Sequence, residues 1–143
     1  MPKAIAPVPD ELKETLRWAT ESLREIYGPR LKRLILFGSW ARGDARPDSD
    51  VDVLVVLEVP IGLYKEARRT SRVATRAAAY RGTALSFIHL SEEEFSDDRR
   101  LLVRSVKKEG VDLLERFSES PSSSDSPSVG SMVEPASGPT SNR

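Results

Sequence analysis

Leu12, Leu16, Ala19, Leu23 and Ile26 recur at helical spacing, which predicts an amphipathic helix with these five on its buried face. Asp10, after Pro9, is the expected N-cap, and Gly28-Pro29 ends the helix. Residues 34–37 form a short apolar run, read as a buried strand that delivers the chain into Gly38-Ser39, with one helical turn over residues 41–45. Residues 51–57 (VDVLVVL) are dense in β-branched side chains and predict a second strand. Residues 64–80 lack Gly and Pro and predict a helix closed by Gly82. A third strand follows over 83–90, Ser91 and Glu94 have the spacing of a capping box, and residues 97–109 predict a last helix closed by Gly110. Residues 111–114 suit a short extended piece. The order helix, strand, strand, helix, strand, helix predicts an α/β (α+β) fold, a small mixed sheet flanked by helices. Trp18, Tyr27, Phe37, Trp40, Tyr64, Tyr80 and Phe87 read mostly as core or near-core.

Composition divides the chain in two. Ser, Pro and Gly supply 16 of the 27 residues from Phe117 to Arg143, too little apolar surface to offset the entropy of ordering. The expected organisation is one folded domain over 1–116 and a disordered Ser/Pro-rich tail over 117–143. Twenty-two Lys plus Arg balance 22 Asp plus Glu, which argues against a general nucleic-acid coat. There is no Cys and a single His, His89, so disulfide scaffolds and multi-His or Cys metal sites are excluded. No apolar run is long enough to span a bilayer, and the first residues lack the apolar core of a secretory signal. The expected location is the cytoplasm.

The segment FGSWARGDARPDSDVDVLVV, residues 37–56, carries the candidate chemistry. Gly38 has no side chain, so backbone N–H groups there can approach a phosphate closely, and Ser39 adds a hydroxyl donor. Asp50 and Asp52, two apart at the head of a strand, point to one face, while Val51 and Val53 face the core. Carboxylates so close repel unless a cation sits between them, and a hard divalent ion, Mg²⁺ or Mn²⁺, is the natural occupant. In isolation an Asp-x-Asp pair also fits a loop-to-strand surface. The whole arrangement of strand, Gly-Ser turn, Ser-Asp-x-Asp and buried strand is far more specific.

Gly38-Ser39-Trp40-Ala41-Arg42-Gly43 followed by Ser49-Asp50-Val51-Asp52 resembles the signature of the DNA polymerase β-like nucleotidyltransferase superfamily, and within it the minimal nucleotidyltransferases. The resemblance implies that Gly38 and Ser39 hold the triphosphate of an NTP, ATP above all. It implies that Asp50 and Asp52 are the catalytic pair that ligates the metal ions. Arg42 would either neutralise phosphate charge or pair with Asp44 or Asp48. The implied activity is transfer of a nucleoside monophosphate, AMP, to a hydroxyl on a partner protein or small molecule. The implied partner is a HEPN-type toxin, with this chain as the antitoxin.

Active members of that superfamily generally carry a third carboxylate on a later strand. Here the alternation of residues 83–90 puts Ser86 at that place, and there is no Asp or Glu between Glu66 and Glu92. The alternative is therefore a catalytically impaired relative that binds a partner without modifying it. Arg68, Arg72 and Arg76 form a stripe at i, i+4 and i+8, with Arg69 and Arg81 close by. A solvated helix face, an acidic partner or a nucleic acid each suits such a stripe. The absence of interleaved aromatics argues against direct nucleic-acid binding.

Overall fold

The structure is a computed structural model and describes residues 8–118. The expected tail beyond residue 118 and the first seven residues lie outside that range. Phe117, the first residue of the expected tail, is buried, with the Arg17 guanidinium 4.9 Å from its ring centre. Arg24 donates to the carbonyls of Leu114 and Phe117 and fastens this end of the chain to the first helix.

The elements in chain order are α1 (Asp10–Tyr27), a 3₁₀ turn (Gly28–Arg30), β1 (Leu31–Phe37), α2 (Ser39–Arg42), β2 (Val51–Leu57), α3 (Leu63–Arg81), β3 (Leu85–Ser91), α4 (Glu92–Phe95), α5 (Leu101–Glu109), β4 (Val111–Asp112) and α6 (Leu113–Arg116). The sheet order is β3-β2-β1-β4. β1 is antiparallel to β2 and β4, and β2 is parallel to β3, so the sheet is mixed as expected. The parallel pair is joined through α3, the crossover such a pair requires.

Alternation along each strand sorts the core into two faces. Leu34, Leu36, Val51, Val53, Val55, Leu57 and Leu85 pack with Leu16, Leu23, Val73 and Ala77 of α1 and α3. Ile35, Leu54, Val56 and Leu90 pack on the other face with Val103 and Val106 of α5. Truncating one of these fully buried leucines to Ala would cost about 2–5 kcal/mol. Among the described residues no helix is long and apolar enough to cross a membrane.

Local differences from the sequence reading have local causes. Asp10 is the first helical residue, and Pro9 occupies the cap position without a side-chain hydrogen bond. Tyr27 takes the buried place at the end of α1, and Ile26 is 38% exposed. The last helix starts only at Leu101, because residues 97–100 (DDRR) offer no apolar face, and α4 stands apart as a single turn. Ser91 and Glu94 do form the reciprocal capping box. Tyr64 and Tyr80 are not near-core: they are 77% and 83% exposed on α3.

A buried ionic cluster joins α1, the 3₁₀ turn and α3. Glu66 is almost fully enclosed and bonds Arg69 at 3.2 Å and Arg30 at 3.6 Å. Burial pushes its carboxyl up, but the Tyr27 hydroxyl and the two guanidinium groups outweigh this and hold it below the usual range. Nearby, His89 Nε2 lies 3.1 Å from Thr70 Oγ1, and burial holds the imidazole below its usual value. His89 is thus a packed residue of the β3 edge strand.

Candidate functional site

β1 ends at Phe37 and the chain turns sharply through Gly38 into α2. Gly38 has φ 77° and ψ −157°, a conformation essentially confined to glycine. Its carbonyl accepts from the N–H groups of Ala41 and Arg42, and the turn closes on Gly43 in the left-handed region. Ser39 and Trp40, as first residues of the turn, keep their N–H groups free of intrahelical partners. The Trp40 indole donates to the Ser49 carbonyl at 3.1 Å, and Ser49 Oγ accepts from the Arg46 N–H at 2.8 Å. These two bonds fold the connecting loop back and set the entry to β2.

Asp50 is exposed just before β2, and Asp52 is half-buried within it. Phe37 and Asp52 are register partners across the antiparallel β1–β2 ladder. This brings Asp52 against Gly38: a Cβ built on Gly38 would collide with Asp52 Oδ2. Burial raises the Asp52 carboxyl above its ordinary value, the neighbouring Asp50 charge raises it further, and Arg42 pulls it down. Gly38, Ser39, Asp50 and Asp52 therefore share one end of the sheet, with the β2 valines on either side of Asp52 buried.

Arg42 bonds Asp44 at 3.3 Å and Glu109 at 3.6 Å, which keeps its exposed guanidinium firmly protonated. Of the two partners expected for it, Asp44 is the one engaged. Glu109 was missed by the sequence reading, since no local pattern links it to Arg42. It comes there because Val111 pairs with Leu36, which brings the end of α5 beside the α2 turn. Gly110 makes the approach possible, since a Cβ there would strike Ile35 and the Val106 carbonyl.

On the other side of Asp52, Ser86 is its register partner on the parallel β2–β3 ladder. Among the described residues no group of three or more His, Cys, Asp or Glu is gathered as a metal site. The donor set is therefore two hard carboxylates in a partly desolvated setting, whose mutual repulsion a divalent cation would relieve. The residues present fit such an ion through two ligands and leave the rest of its shell to other oxygens.

Residues 16–116 match the family model described as "Nucleotidyltransferase domain". A Methanocaldococcus jannaschii protein named "putative protein adenylyltransferase" is 31% identical over 84 residues, 59% of this chain and 78% of that protein. The protein adenylyltransferase MntA of Thermococcus cleftensis is 43% identical over 56 residues, 39% of this chain and 54% of that protein. Across the curated relatives the match spans between 43% and 78% of the relative's own length. A Sulfolobus solfataricus crystal structure described as a "putative nucleotidyltransferase" superposes with a TM-score of 0.51 at 21% identity. It covers 76% of this chain and 90% of that one, a likeness of fold. The chain belongs to the nucleotidyltransferase domain family.

Proposed function

We propose that this protein binds ATP with a divalent cation and transfers AMP to a hydroxyl of a partner protein. The observation that carries this reading is the approach of Asp52 to Gly38, a phosphate-cradling glycine held against a carboxylate suited to a metal. The names of its relatives as protein adenylyltransferases favour AMP and a protein acceptor over other groups. ATP is the donor that chemistry requires, and the cytoplasm is where the reaction belongs.

Gly38 lets the backbone come close to the triphosphate, and the free N–H groups of the α2 turn with the Ser39 hydroxyl donate to its oxygens. Arg42, poised between Asp44 and Glu109, adds positive charge at the rim of the same turn. Asp50 and Asp52 would hold Mg²⁺ or Mn²⁺. That ion, when bound, neutralises phosphate charge and stabilises the oxygens of an in-line displacement. The acceptor hydroxyl oxygen attacks the α-phosphorus, the bond to the bridging oxygen breaks, pyrophosphate leaves with that electron pair, and the hydroxyl proton passes to solvent. The partner supported by the sequence resemblance is a HEPN-type toxin, with this chain as its antitoxin.

A second reading is favoured by Ser86 opposite Asp52. Serine cannot supply a negative charge and is a poor base, so a chain with two carboxylates could mask its partner by binding alone. Incubation of the complex with ATP labelled at the α- or the γ-phosphate separates the two. Label carried to the partner from the α position only supports AMP transfer. Neutralisation of the partner without label, undiminished in Asp50→Asn/Asp52→Asn, would establish the binding-only reading.

A further inference from the structure

α3 carries six basic residues and one acid, Glu66, which is buried and committed to Arg30 and Arg69. Lys65, Arg68, Arg72 and Arg76 are exposed and, among the described residues, have no carboxylate within ion-pair distance. Arg68, Arg72 and Arg76 succeed one another about 6 Å apart along the helix axis. A solvated helix in a chain of zero net charge would be expected to intersperse acids on such a face.

This face is also shaped. A cavity of about 650 Å³ opens where it meets the end of α1, lined by Ile26, Tyr64, Lys65, Arg68, Arg69 and Arg72. That volume falls in the range of small-ligand sites, roughly 300–1,000 Å³. Its wall is mixed: the Tyr64 ring and Ile26 offer flat apolar surface, and the guanidinium groups offer planar forks that suit phosphate. Tyr64 is 77% exposed, with Arg68 5.9 Å from its ring centre. Tyr80 stands exposed near the other end of the helix. An acidic peptide would use the cations and leave the aromatic wall idle, whereas a nucleotide strand uses both.

No aromatic lies between the arginines, but Tyr64 heads their stripe at the cavity, and we propose that the Tyr64–Arg76 face of α3 binds a single-stranded nucleic acid, with phosphates on Arg68, Arg72 and Arg76 and a base stacked on Tyr64. The surface is separate from the Gly38–Asp52 site. β2 leaves that site at Val51 and runs roughly 20 Å to Leu57 before α3 begins, so Tyr64 lies toward the far end of the sheet. Arg76 lies about three turns further along α3, which leads back toward the site end.

The test is anisotropy of a 5′-labelled 12-mer of oligouridine against the full chain at 50–200 mM KCl. Saturating Mg-ATP occupies the other site, and competing polyglutamate is added in one arm. The expected result is a slope of log affinity on log salt of about −2 for three phosphate contacts. Arg68→Ala/Arg72→Ala/Arg76→Ala should weaken binding at least 30-fold and flatten the slope. Tyr64→Ala should weaken it about tenfold, in line with one lost stacking contact. Lys13→Ala/Arg104→Ala, exposed cations on α1 and α5, should change it less than twofold. All six substituted positions are exposed, and unchanged melting curves confirm folding. No binding at 50 mM KCl, or equal loss in the Lys13/Arg104 variant, overturns the proposal. Displacement by polyglutamate with Tyr64→Ala neutral also overturns it and assigns the face to an acidic polypeptide.

Discussion

Asp52 and Ser86 face each other across the parallel β2–β3 ladder, on the sheet face that also carries Leu54, Val56 and Leu90. Neighbouring strands lie about 4.8 Å apart, so an acid grafted at 86 would stand within reach of any cation held by Asp52. Ser86→Asp should therefore raise Mg²⁺-dependent AMP transfer by at least tenfold, or about 1.4 kcal/mol of barrier. It should also lower the melting temperature of the nucleotide-free protein, because three carboxylates then crowd one sheet end. Single-turnover transfer and a thermal melt together read both effects. Unchanged transfer would mean that Ser86 is not what limits this site.

Gly38→Ala is the sharpest probe of the cradle. The substitution strains a backbone region essentially reserved for glycine and pushes a Cβ into Asp52 Oδ2. A stability loss of about 1–3 kcal/mol is expected, with Mg-ATP binding lost. Ser39→Ala, with no steric change, should keep stability and weaken nucleotide binding several-fold. Denaturant melts beside calorimetry separate the two.

The Asp52 carboxyl is raised, by burial first and by Asp50 second. The folded protein then holds its proton more tightly than the unfolded chain, so this group adds stability as pH falls through that raised value. At neutral pH its charge is a cost. Asp52→Asn should raise the melting temperature of the nucleotide-free protein at pH 7.5 while abolishing Mg-ATP binding. The gain should shrink as pH is lowered and the wild-type carboxyl takes up its proton. A variant less stable at pH 7.5 contradicts this.

The Glu66 cluster carries the opposite dependence. Glu66 lies below its usual range, so its contribution is present above about pH 4.5 and is lost as pH falls through the folded value. His89 is held neutral in the fold, while the unfolded chain takes up a proton below about pH 6.5, so acid destabilises here too. Glu66→Gln should cost about 2 kcal/mol at pH 7, since it leaves Arg30 and Arg69 without their carboxylate. His89→Gln should flatten stability between pH 7 and pH 5. Chemical denaturation across that range measures both.

Much of this was legible along the chain, wherever the signal is local. β2 matches its β-branched run from Val51 to Leu57, and α3 closes at Gly82 because the left-handed turn there suits glycine. The convergence of Gly38, Asp50 and Asp52 follows from strand alternation plus one sharp turn. What the sequence does not carry is contact between distant segments. Arg42 meets Glu109 only because β4 pairs with β1 and Gly110 admits Ile35. The aromatics mislead for a related reason. Tyr64 and Tyr80 count as hydrophobic in any pattern, yet the stripe of α3 that packs inward runs through Glu66, Thr70, Val73 and Ala77. That stripe leaves both rings outside, and the polar Glu66 inside is tolerated because Arg69 of its own helix and Arg30, a residue of another element, both reach it.

The most direct test of the nucleotide site is calorimetric titration of the protein with ATP, with and without Mg²⁺, beside Asp50→Asn/Asp52→Asn. The account predicts binding that needs Mg²⁺ and disappears in the double variant while its melting curve stays cooperative. Equal ATP binding with and without Mg²⁺, or full binding by the double variant, would contradict the assignment of Asp50 and Asp52 as the metal-holding pair.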